Sequence, residues 1–330
     1  MAYHVAAIGH ALVDVLASAD DGFLLEHNIA KAVMTMIDEY RASTLYAAFA
    51  QPKEAAGGSA ANTLAGLVSF GGRGYFIGKV KDDRLGGSFA NSMRERGLTF
   101  TTAPAATGPQ TGCCLIVVTP DGERSMSTYL GAASTLNVED IDEGALGASE
   151  VLYIEGYMWD VPGAKAAIAK AIATSKRAGK RIALTLSDPF CVGRYRDEFL
   201  HLWKNDLDLL FANEEEIKAL FEVESFDSAL QSMQNWKGTA ALTRSEKGCV
   251  IRSGSEIHVI DAYPVKKVID TTGAGDQFAA GFLYGLTEGM NLADCGRLGC
   301  LGASECIVHY GARPEANLRS LAEKAGLILR

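Results

Sequence analysis

Apolar residues in the second half of the chain fall into short continuous runs that alternate with segments of helical spacing. Residues 151–154 form one run, residues 181–186 form the next, and a segment of helical spacing lies between them. The run 207–212 leads into another helical segment in the same way. This alternation is typical of parallel strands with helices on the faces of the sheet. It predicts an α/β fold with a doubly wound, mainly parallel sheet.

A parallel sheet also predicts where ligands bind. In sheets of this class, ligands lie at the C-terminal ends of the strands. Asn213, Gly58 and Gly273 are expected at such ends.

The first half of the chain is less regular. Residues 5–8 have the pattern of a buried strand, whereas residues 15–50 contain one clearly alternating segment, at 32–37. Residues 113–130 read as two strands joined by a turn with the sequence Pro-Asp-Gly. That pattern predicts a hairpin rather than a strand followed by a helix.

Composition limits the classes of protein to consider. The chain has 330 residues, 48% of them hydrophobic, which is enough for one large α/β domain or two smaller ones. The net charge of −9 and the lack of a long basic run argue against nucleic acid or an anionic membrane as a partner. We see no signal peptide and no uncharged apolar stretch of membrane-spanning length. Seven cysteines without a C-x-x-C pair predict reduced thiols in a cytoplasmic protein and argue against a zinc site.

The most distinctive stretch is the turn Gly273-Ala274-Gly275-Asp276, which is followed by an apolar segment with helical spacing. Its glycines allow unusual backbone dihedrals and a close approach to a ligand. The N–H groups that open a helix have no partner within it, so this end attracts anions such as phosphate. An acid beside a phosphate is understandable if Asp276 takes a proton from a hydroxyl that attacks the phosphoryl group. The alternative is an ordinary acidic residue in the first turn of a helix.

Two further polar residues are candidates for binding a substrate. Asp14 stands alone in an apolar run, and Asn62 follows Gly57-Gly58 at the start of a helical segment. A buried carboxylate needs a hydrogen-bond partner, and an asparagine can both donate to a hydroxyl and accept from it. The alternatives are a carboxylate bonded to nearby backbone and a glycine-rich loop with a turn residue.

Four motifs together resemble those of the ribokinase-like (PfkB) carbohydrate and nucleoside kinases. Residues 270–276 are similar to the family's D-T-x-G-A-G-D signature, and residues 57–62 to its G-G-x-x-x-N region. Residues 213–216 match its N-x-x-E motif. Residues 243–248 resemble its T-x-G-x-x-G nucleotide loop, with Ser245 in place of the first glycine. The resemblance covers nearly the whole chain, and the G-x-x-x-x-G-K-[ST] loop of other kinases is absent.

The resemblance implies a single ribokinase-like domain over residues 1–330, with a small β-rich lid formed from segments at about 15–50 and 100–130. It also implies transfer of the γ-phosphoryl group of ATP to a primary hydroxyl, with Asp276 as the base. Backbone N–H groups would stabilise the charge that develops during transfer. These N–H groups are those of Gly273, Ala274 and Gly275.

Other contacts follow from the same resemblance. The substrate contacts it implies are Asp14, Gly57, Gly58 and Asn62. Met36 in the lid segment would cover an aromatic ligand unless it is a packing residue. The nucleotide contacts it implies are Asn213, Thr243, Ser245, Gly248, Thr272, Gly273, Gly275 and Cys300. Mg²⁺ would be held through water by Glu216, with Asn213 nearby, although N-x-x-E also matches a helix cap. Arg124 would reach the transferring phosphate unless it is an exposed strand residue, and a monovalent cation near Asp270 is left open.

Several features favour the family's adenosine kinases over its sugar kinases. The lid segment is long, residues 186–190 resemble L-S-x-P-F, and residues 153–157 resemble Y-x-x-G-aromatic. The last motif would place Tyr157 or Met158 near the adenine ring, because aromatic and thioether side chains suit a flat apolar face. The sequence thus predicts phosphorylation of the 5′-hydroxyl of adenosine. The alternatives are a ribose or fructose kinase and a non-catalytic regulator that binds a nucleoside or sugar, and the chain could be a monomer or a homodimer.

Overall fold

The computed structural model describes residues 2–327, whose strands form two separate sheets. The strands are β1 (Tyr3–Ile8), β2 (Leu12–Ser18), β3 (Met34–Met36), β4 (Lys53–Gly57), β5 (Gly74–Ile77), β6 (Thr99–Phe100), β7 (Thr111–Val118), β8 (Arg124–Gly131), β9 (Ser149–Glu155), β10 (Arg181–Thr185), β11 (Leu209–Asn213), β12 (Thr239–Thr243), β13 (Cys249–Ser253) and β14 (Glu256–Ile260). The large sheet has nine strands in the order β14-β13-β12-β11-β10-β9-β1-β5-β6, and the small sheet has five in the order β3-β8-β7-β2-β4.

The α-helices connect these strands, and most of them pack on the large sheet, whereas α2 packs on the small one. They are α1 (Asp21–Glu26), α2 (Glu39–Ala48), α3 (Ser59–Ser69), α4 (Arg84–Glu95), α5 (Glu143–Gly147), α6 (Pro162–Arg177), α7 (Pro189–Asn205), α8 (Glu214–Phe221), α9 (Phe226–Ser232), α10 (Ala274–Thr287), α11 (Leu292–Cys306) and α12 (Leu318–Lys324). Within residues 2–327, none of them is both long and apolar enough to cross a membrane.

Alternate residues of the large sheet face two different hydrophobic clusters. In β1, Val5 and Ala7 pack in the cluster that contains residues of α3, α10 and α11, whereas Ala6 and Ile8 pack in the cluster that contains residues of α6, α7 and α8. Successive side chains of a strand point to opposite faces, so helices cover both faces. The seven strands from β12 to β6 in this order pair in parallel, whereas β13 pairs antiparallel with both β12 and β14. The predicted doubly wound, mainly parallel sheet is therefore confirmed.

The small sheet is built from residues 12–57 and 111–131. The predicted hairpin is the antiparallel pair β7 and β8, and the alternating segment 32–37 contains β3. The sheet also includes β2 and β4, so it extends beyond the predicted segment 15–50 at both ends. Asp14 consequently lies on a strand of the small sheet.

The predicted strand ends are only partly correct. Asn213 is the last residue of β11 in the large sheet. Gly58 instead follows β4 of the small sheet. Gly273 is the last residue of the loop 261–273 and does not follow a strand directly. The two glycine turns reach the site through helix packing, which the alternation of strands and helices does not reveal.

Candidate active site

The two glycine turns open α3 and α10, two helices that pack against each other. Gly273 has a φ of 79°, and a Cβ atom there would lie 2.6 Å from the backbone of Ala312. Gly58 has a φ of 93°, and a Cβ atom there would lie 2.2 Å from the carbonyl oxygen of His10. Both turns therefore require glycine for its dihedrals and for its lack of a side chain.

The carboxylate of Asp276 joins the two turns. Its Oδ1 accepts a hydrogen bond from the hydroxyl of Ser59 at 2.6 Å, and its Oδ2 accepts one from Nδ2 of Asn62 at 3.4 Å. Burial raises the pKa of Asp276 to about 7; the bond from Ser59 opposes this rise, and the negative charge of Glu155 adds to it. A carboxyl group that titrates near neutral pH is suited to accepting a proton. The structure thus places Asp276 and Asn62, which belong to separate motifs, in direct contact.

The turn before α10 is open to a ligand at one position. Gly275 is exposed, and no atom lies within 4 Å of the position that its Cβ would occupy. The N–H group of Ala274, which was expected to face a phosphate, donates to the carbonyl oxygen of Thr271 at 3.2 Å. The accessible part of the turn is therefore centred on Gly275 and not on Ala274.

Asp14 extends from β2 toward the end of the neighbouring strand β4. A Cβ atom at Gly57 would lie 2.4 Å from Oδ1 of Asp14, so this glycine leaves room for the carboxylate. Burial raises the pKa of Asp14 to about 6, and the positive charges of Arg313 and Arg124 oppose that rise. At neutral pH the carboxylate is therefore mostly ionised and can accept hydrogen bonds from hydroxyl groups.

Arg313 lies in the same region, and the sequence analysis missed it. Its Nε donates to Oδ1 of Asn62 at 2.9 Å, which leaves Nδ2 of Asn62 to donate to Asp276. Burial lowers the pKa of Arg313 to about 10. The sequence offers one signal, a single charged residue between an alanine and a proline, which is common in loops and does not indicate a site.

Arg124 begins β8 and reaches the stretch that precedes the glycine turn. Its Nη1 contacts the carboxylate of Asp270 and donates to Oγ1 of Thr272 at 3.2 Å. The carboxylate of Asp270 also accepts from the N–H groups of Thr272 and Gly311, at 3.0 and 2.9 Å. The guanidinium of Arg124 therefore neutralises this carboxylate, and the monovalent cation near Asp270 stays a prediction. The side chain of Arg124 is mostly buried, so the alternative of an exposed strand arginine is wrong.

Asn213 and Glu216 form a capping box at the start of α8. Oδ1 of Asn213 accepts from the N–H of Glu216 at 2.8 Å, and Oε2 of Glu216 accepts from the N–H of Asn213 at 2.9 Å. A further bond of 2.6 Å joins Nδ2 of Asn213 to Oε1 of Glu216. The helix-cap interpretation of N-x-x-E is therefore confirmed.

The same pair also fits a magnesium ion that is held through water. Burial raises the pKa of Glu216 to about 7, and the negative charge of Asp188 adds to the rise, so a nearby cation would favour the ionised form. Each carboxylate oxygen of Glu216 accepts one hydrogen bond from Asn213, which leaves lone pairs for water. Among the described residues, no three His, Cys, Asp or Glu side chains cluster as ligands.

The predicted nucleotide loop connects β12 with β13. Thr243 ends β12 and is partly exposed, and Ser245 is exposed with a φ of 51°. Ser245 thus adopts the left-handed conformation that glycine, the residue of the family pattern, adopts at no steric cost. Gly248 is buried, and a Cβ atom there would lie 2.0 Å from the carbonyl oxygen of Ile260. Thr243 and Ser245 are accessible to a ligand, whereas Gly248 serves the packing of the loop.

Four side chains that were predicted near ligand rings have different environments. Met158 exposes 0% of its surface and packs in the cluster of α6, α7 and α8, so the prediction that it contacts a ligand is wrong. Tyr157 is partly exposed, and its hydroxyl donates to the carbonyl oxygen of Ser187 at 3.3 Å. Cys300 exposes 7% of its surface, with its thiol against another cysteine. Met36 is 52% exposed on β3.

Comparisons with known proteins cover most of the chain. A sequence profile described as pfkB family carbohydrate kinase matches residues 30–317. The adenosine kinase of Saccharomyces cerevisiae is 27% identical over 307 residues, which cover 86% of this chain and 89% of the yeast protein.

Two solved structures resemble almost the entire chain. The crystal structure of adenosine kinase from Sinorhizobium meliloti has a TM-score of 0.91 and 46% identity, and the match covers 98% of this chain and 100% of that one. The crystal structure of a probable sugar kinase from Rhizobium etli has a TM-score of 0.92 and 43% identity, with coverage of 99% and 100%. Overall similarity alone therefore does not separate a nucleoside substrate from a sugar.

Proposed function

Because this chain belongs to the pfkB family of carbohydrate kinases and is therefore a phosphotransferase with an alcohol acceptor, we propose that it transfers the γ-phosphoryl group of ATP to the 5′-hydroxyl of adenosine. The observation that carries the proposal is the 46% identity to the adenosine kinase of Sinorhizobium meliloti. The resemblance of residues 153–157 to the Y-x-x-G-aromatic segment of the family's adenosine kinases also supports it. The product would be AMP, which implies a role in purine salvage in the cytoplasm.

Asp276 is the base in this proposal. The 5′-hydroxyl gives its proton to the carboxylate of Asp276, its oxygen bonds to the γ-phosphorus, and the bond from phosphorus to the ADP oxygen breaks. The hydroxyl of Ser59, 2.6 Å from the carboxylate, holds it in place. A pKa of about 7 for Asp276 means that a large share of the carboxylate is ionised at neutral pH and is still basic.

The ribose would be bound on the side of Asp14 and Asn62. The ionised carboxylate of Asp14 accepts hydrogen bonds from ribose hydroxyls, and the positive charge of Arg313 favours this ionised form. Arg313 also fixes the amide of Asn62 by the bond to its Oδ1. The backbone of Gly57 and Gly58 gives the sugar a close approach to this surface.

The phosphates of ATP would lie at the open turn around Gly275. Arg124 already connects β8 of the small sheet to this turn through Thr272, so the small sheet, acting as a lid, would hold a guanidinium beside the transfer site and exclude water. Thr243 and Ser245 would contact the nucleoside part of ATP. Magnesium, held through water by Glu216 beside Asn213, would neutralise charge on the phosphates.

A sugar kinase is the second candidate, because the probable sugar kinase from Rhizobium etli is 43% identical over 99% of this chain. An assay of ADP release with magnesium-ATP and adenosine, guanosine, inosine, ribose or fructose distinguishes the two. Turnover with adenosine alone supports the proposal. Turnover with ribose or fructose instead would overturn adenosine as the substrate and would leave the proposed transfer of a phosphoryl group in place. No turnover, with adenosine binding seen by calorimetry, would favour a non-catalytic regulator.

We expect Glu216→Gln to raise the Mg²⁺ concentration for half-maximal activity by roughly tenfold or more, because the charged hydrogen-bond partner of the metal-bound water is lost. Glutamine also serves in a capping box and removes the cost of ionising a carboxyl whose pKa is raised from 4.5 to about 7, so the midpoint of thermal unfolding at pH 8 should be kept or raised. The matched control is Glu215→Gln, one residue away on the exposed side of α8, which should behave as the wild type. An unchanged magnesium dependence in Glu216→Gln would remove Glu216 from the metal site.

A further inference from the structure

Two ionisable side chains are fully buried next to the candidate site, and the mechanism above does not use them. Glu155 is the last residue of β9 and exposes 1% of its surface, and His10 follows β1 and exposes 2%. The Nδ1–H of His10 donates to Oε1 of Glu155 at 2.9 Å. Because β1 and β9 are adjacent parallel strands, the pair sits at their common carboxyl end.

The second carboxylate oxygen of Glu155 holds the start of α3. Oε2 accepts a hydrogen bond from the N–H of Ala60 at 3.0 Å. The first N–H groups of a helix need an external partner, and Gly58 at the cap position supplies no side-chain bond. Glu155 therefore caps the N-terminus of α3, although it lies 95 residues from Ala60 in sequence.

The residue before Ala60 is Ser59, whose hydroxyl donates to Asp276. Two carboxylates thus contact consecutive residues of one helical turn, Glu155 through the backbone and Asp276 through a side chain. The space around Glu155 is closed, since a Cβ atom at Gly9 would lie 2.4 Å from its Oε2. Any movement of Glu155 would therefore shift the first turn of α3 and the hydroxyl that orients Asp276.

We propose that Glu155, held by His10, is a positioning residue of the transfer reaction, which fixes the first turn of α3 so that Ser59 orients the carboxylate of Asp276. This inference rests on the proposed function, in which Asp276 is the base. The negative charge of Glu155 adds a second effect, because it raises the pKa of Asp276 and so keeps that group basic. The other titratable or charged groups that interact with Asp276 are Asp14 on β2, Tyr153 on β9, Cys306 on α11 and Arg313.

Glu155→Gln separates the charge from the geometry. The amide oxygen of glutamine can accept from the N–H of Ala60, and its NH₂ group can donate to a neutral His10, so the contacts survive without the charge. We expect turnover to fall roughly tenfold, since a weaker base transfers the proton less well. The acid limb of the kcat/KM profile should move to lower pH, with the nucleoside KM unchanged. The matched control is Glu150→Gln, on the same strand but exposed, which should leave both unchanged.

Two further measurements keep the proposal falsifiable. The ¹³C shift of the Asp276 carboxyl group can be titrated in wild type and in Glu155→Gln. It measures the effect of the Glu155 charge on the pKa of Asp276 independently of turnover, and the midpoint should be lower in the variant. His10→Ala removes the contact that holds Glu155 and should lower turnover roughly tenfold, as loss of a supporting contact does, and His10→Asn, which keeps a donor toward Glu155, should restore it.

The outcomes separate the two levels of inference. Wild-type turnover in a folded His10→Ala variant overturns the positioning role of Glu155, and an unchanged pH profile and carboxyl titration in Glu155→Gln overturn the effect of its charge. Absence of turnover by the wild type with every acceptor overturns the proposed function, whatever the carboxyl titration shows. A lower titration midpoint together with reduced turnover supports both.

Discussion

Asp276→Asn is expected to lower the turnover of adenosine by about 10²–10⁴-fold, the usual contribution of a positioned general base. The affinity for adenosine, measured by calorimetry, should stay within a few-fold of wild type, because the ribose contacts at Asp14 and Asn62 remain. Asparagine keeps an oxygen that can accept from Ser59, so the turn should retain its shape. Near-normal turnover in this variant would exclude Asp276 as the base.

Stability provides the control for Asp276→Asn. The pKa of Asp276 is raised in the folded protein from 3.8 to about 7, so the ionised group opposes folding once the pH exceeds the unfolded value. Asparagine removes this cost, and the midpoint of thermal unfolding at pH 8 should therefore rise. The gain should shrink as the pH falls through 7 and vanish below about 4. A less stable variant at pH 8 would mean that the loss of turnover has a structural cause.

Gly273→Ala is expected to destabilise the protein and to abolish most activity. A non-glycine residue at a φ of 79° costs about 1–3 kcal/mol, and the new Cβ would lie 2.6 Å from the backbone of Ala312. The turn would have to move, and the N–H groups after it would no longer face a phosphate. We expect a lower midpoint of thermal unfolding and a loss in turnover of roughly 100-fold or more.

Gly275→Ala is the matched control for the turn, because it adds the same methyl group two residues further on. No atom lies within 4 Å of its Cβ position, and alanine is favoured over glycine in a helix by about 0.5–1 kcal/mol. Stability should therefore be kept or improved. If ATP phosphates occupy this open space, the KM for ATP should rise and turnover should fall roughly tenfold. Wild-type kinetics in a stable Gly275→Ala variant would place the phosphates elsewhere.

Much of the fold could be predicted from local patterns. The large parallel sheet followed from the alternation of apolar runs and helical segments, and the start of α10 followed from the glycine turn. These features depend on neighbours within a few residues, whose spacing the sequence displays directly. The prediction of strand ends was wrong at Gly58 and Gly273, because the position of those turns at the site depends on the packing of α3 against α10.

The candidate site could be predicted where a residue belongs to a motif and not where it supports one. Asp276 and Asn62 were predicted separately, and neither motif indicated that their side chains meet at 3.4 Å. Met158 was expected at a ligand because residues 153–157 resemble a family segment and because a thioether suits a flat apolar face. The turn after β9 instead directs its side chain into the core.

The sequence by itself determined the class of sheet, the two glycine turns and the acid Asp276 that follows the second turn, since each is a local pattern of residue types. Only the tertiary structure decided how these parts work together. Arg313 and Asn62 are 251 residues apart in sequence, and Glu155 and Ala60 are 95 apart. Pairs so distant leave no periodicity or spacing to read, because the chain fold alone places them in contact. The pKa shifts of Asp276 and Asp14 arise from burial and from the charges of such distant neighbours, so the chemistry of the candidate site is a property of the folded chain.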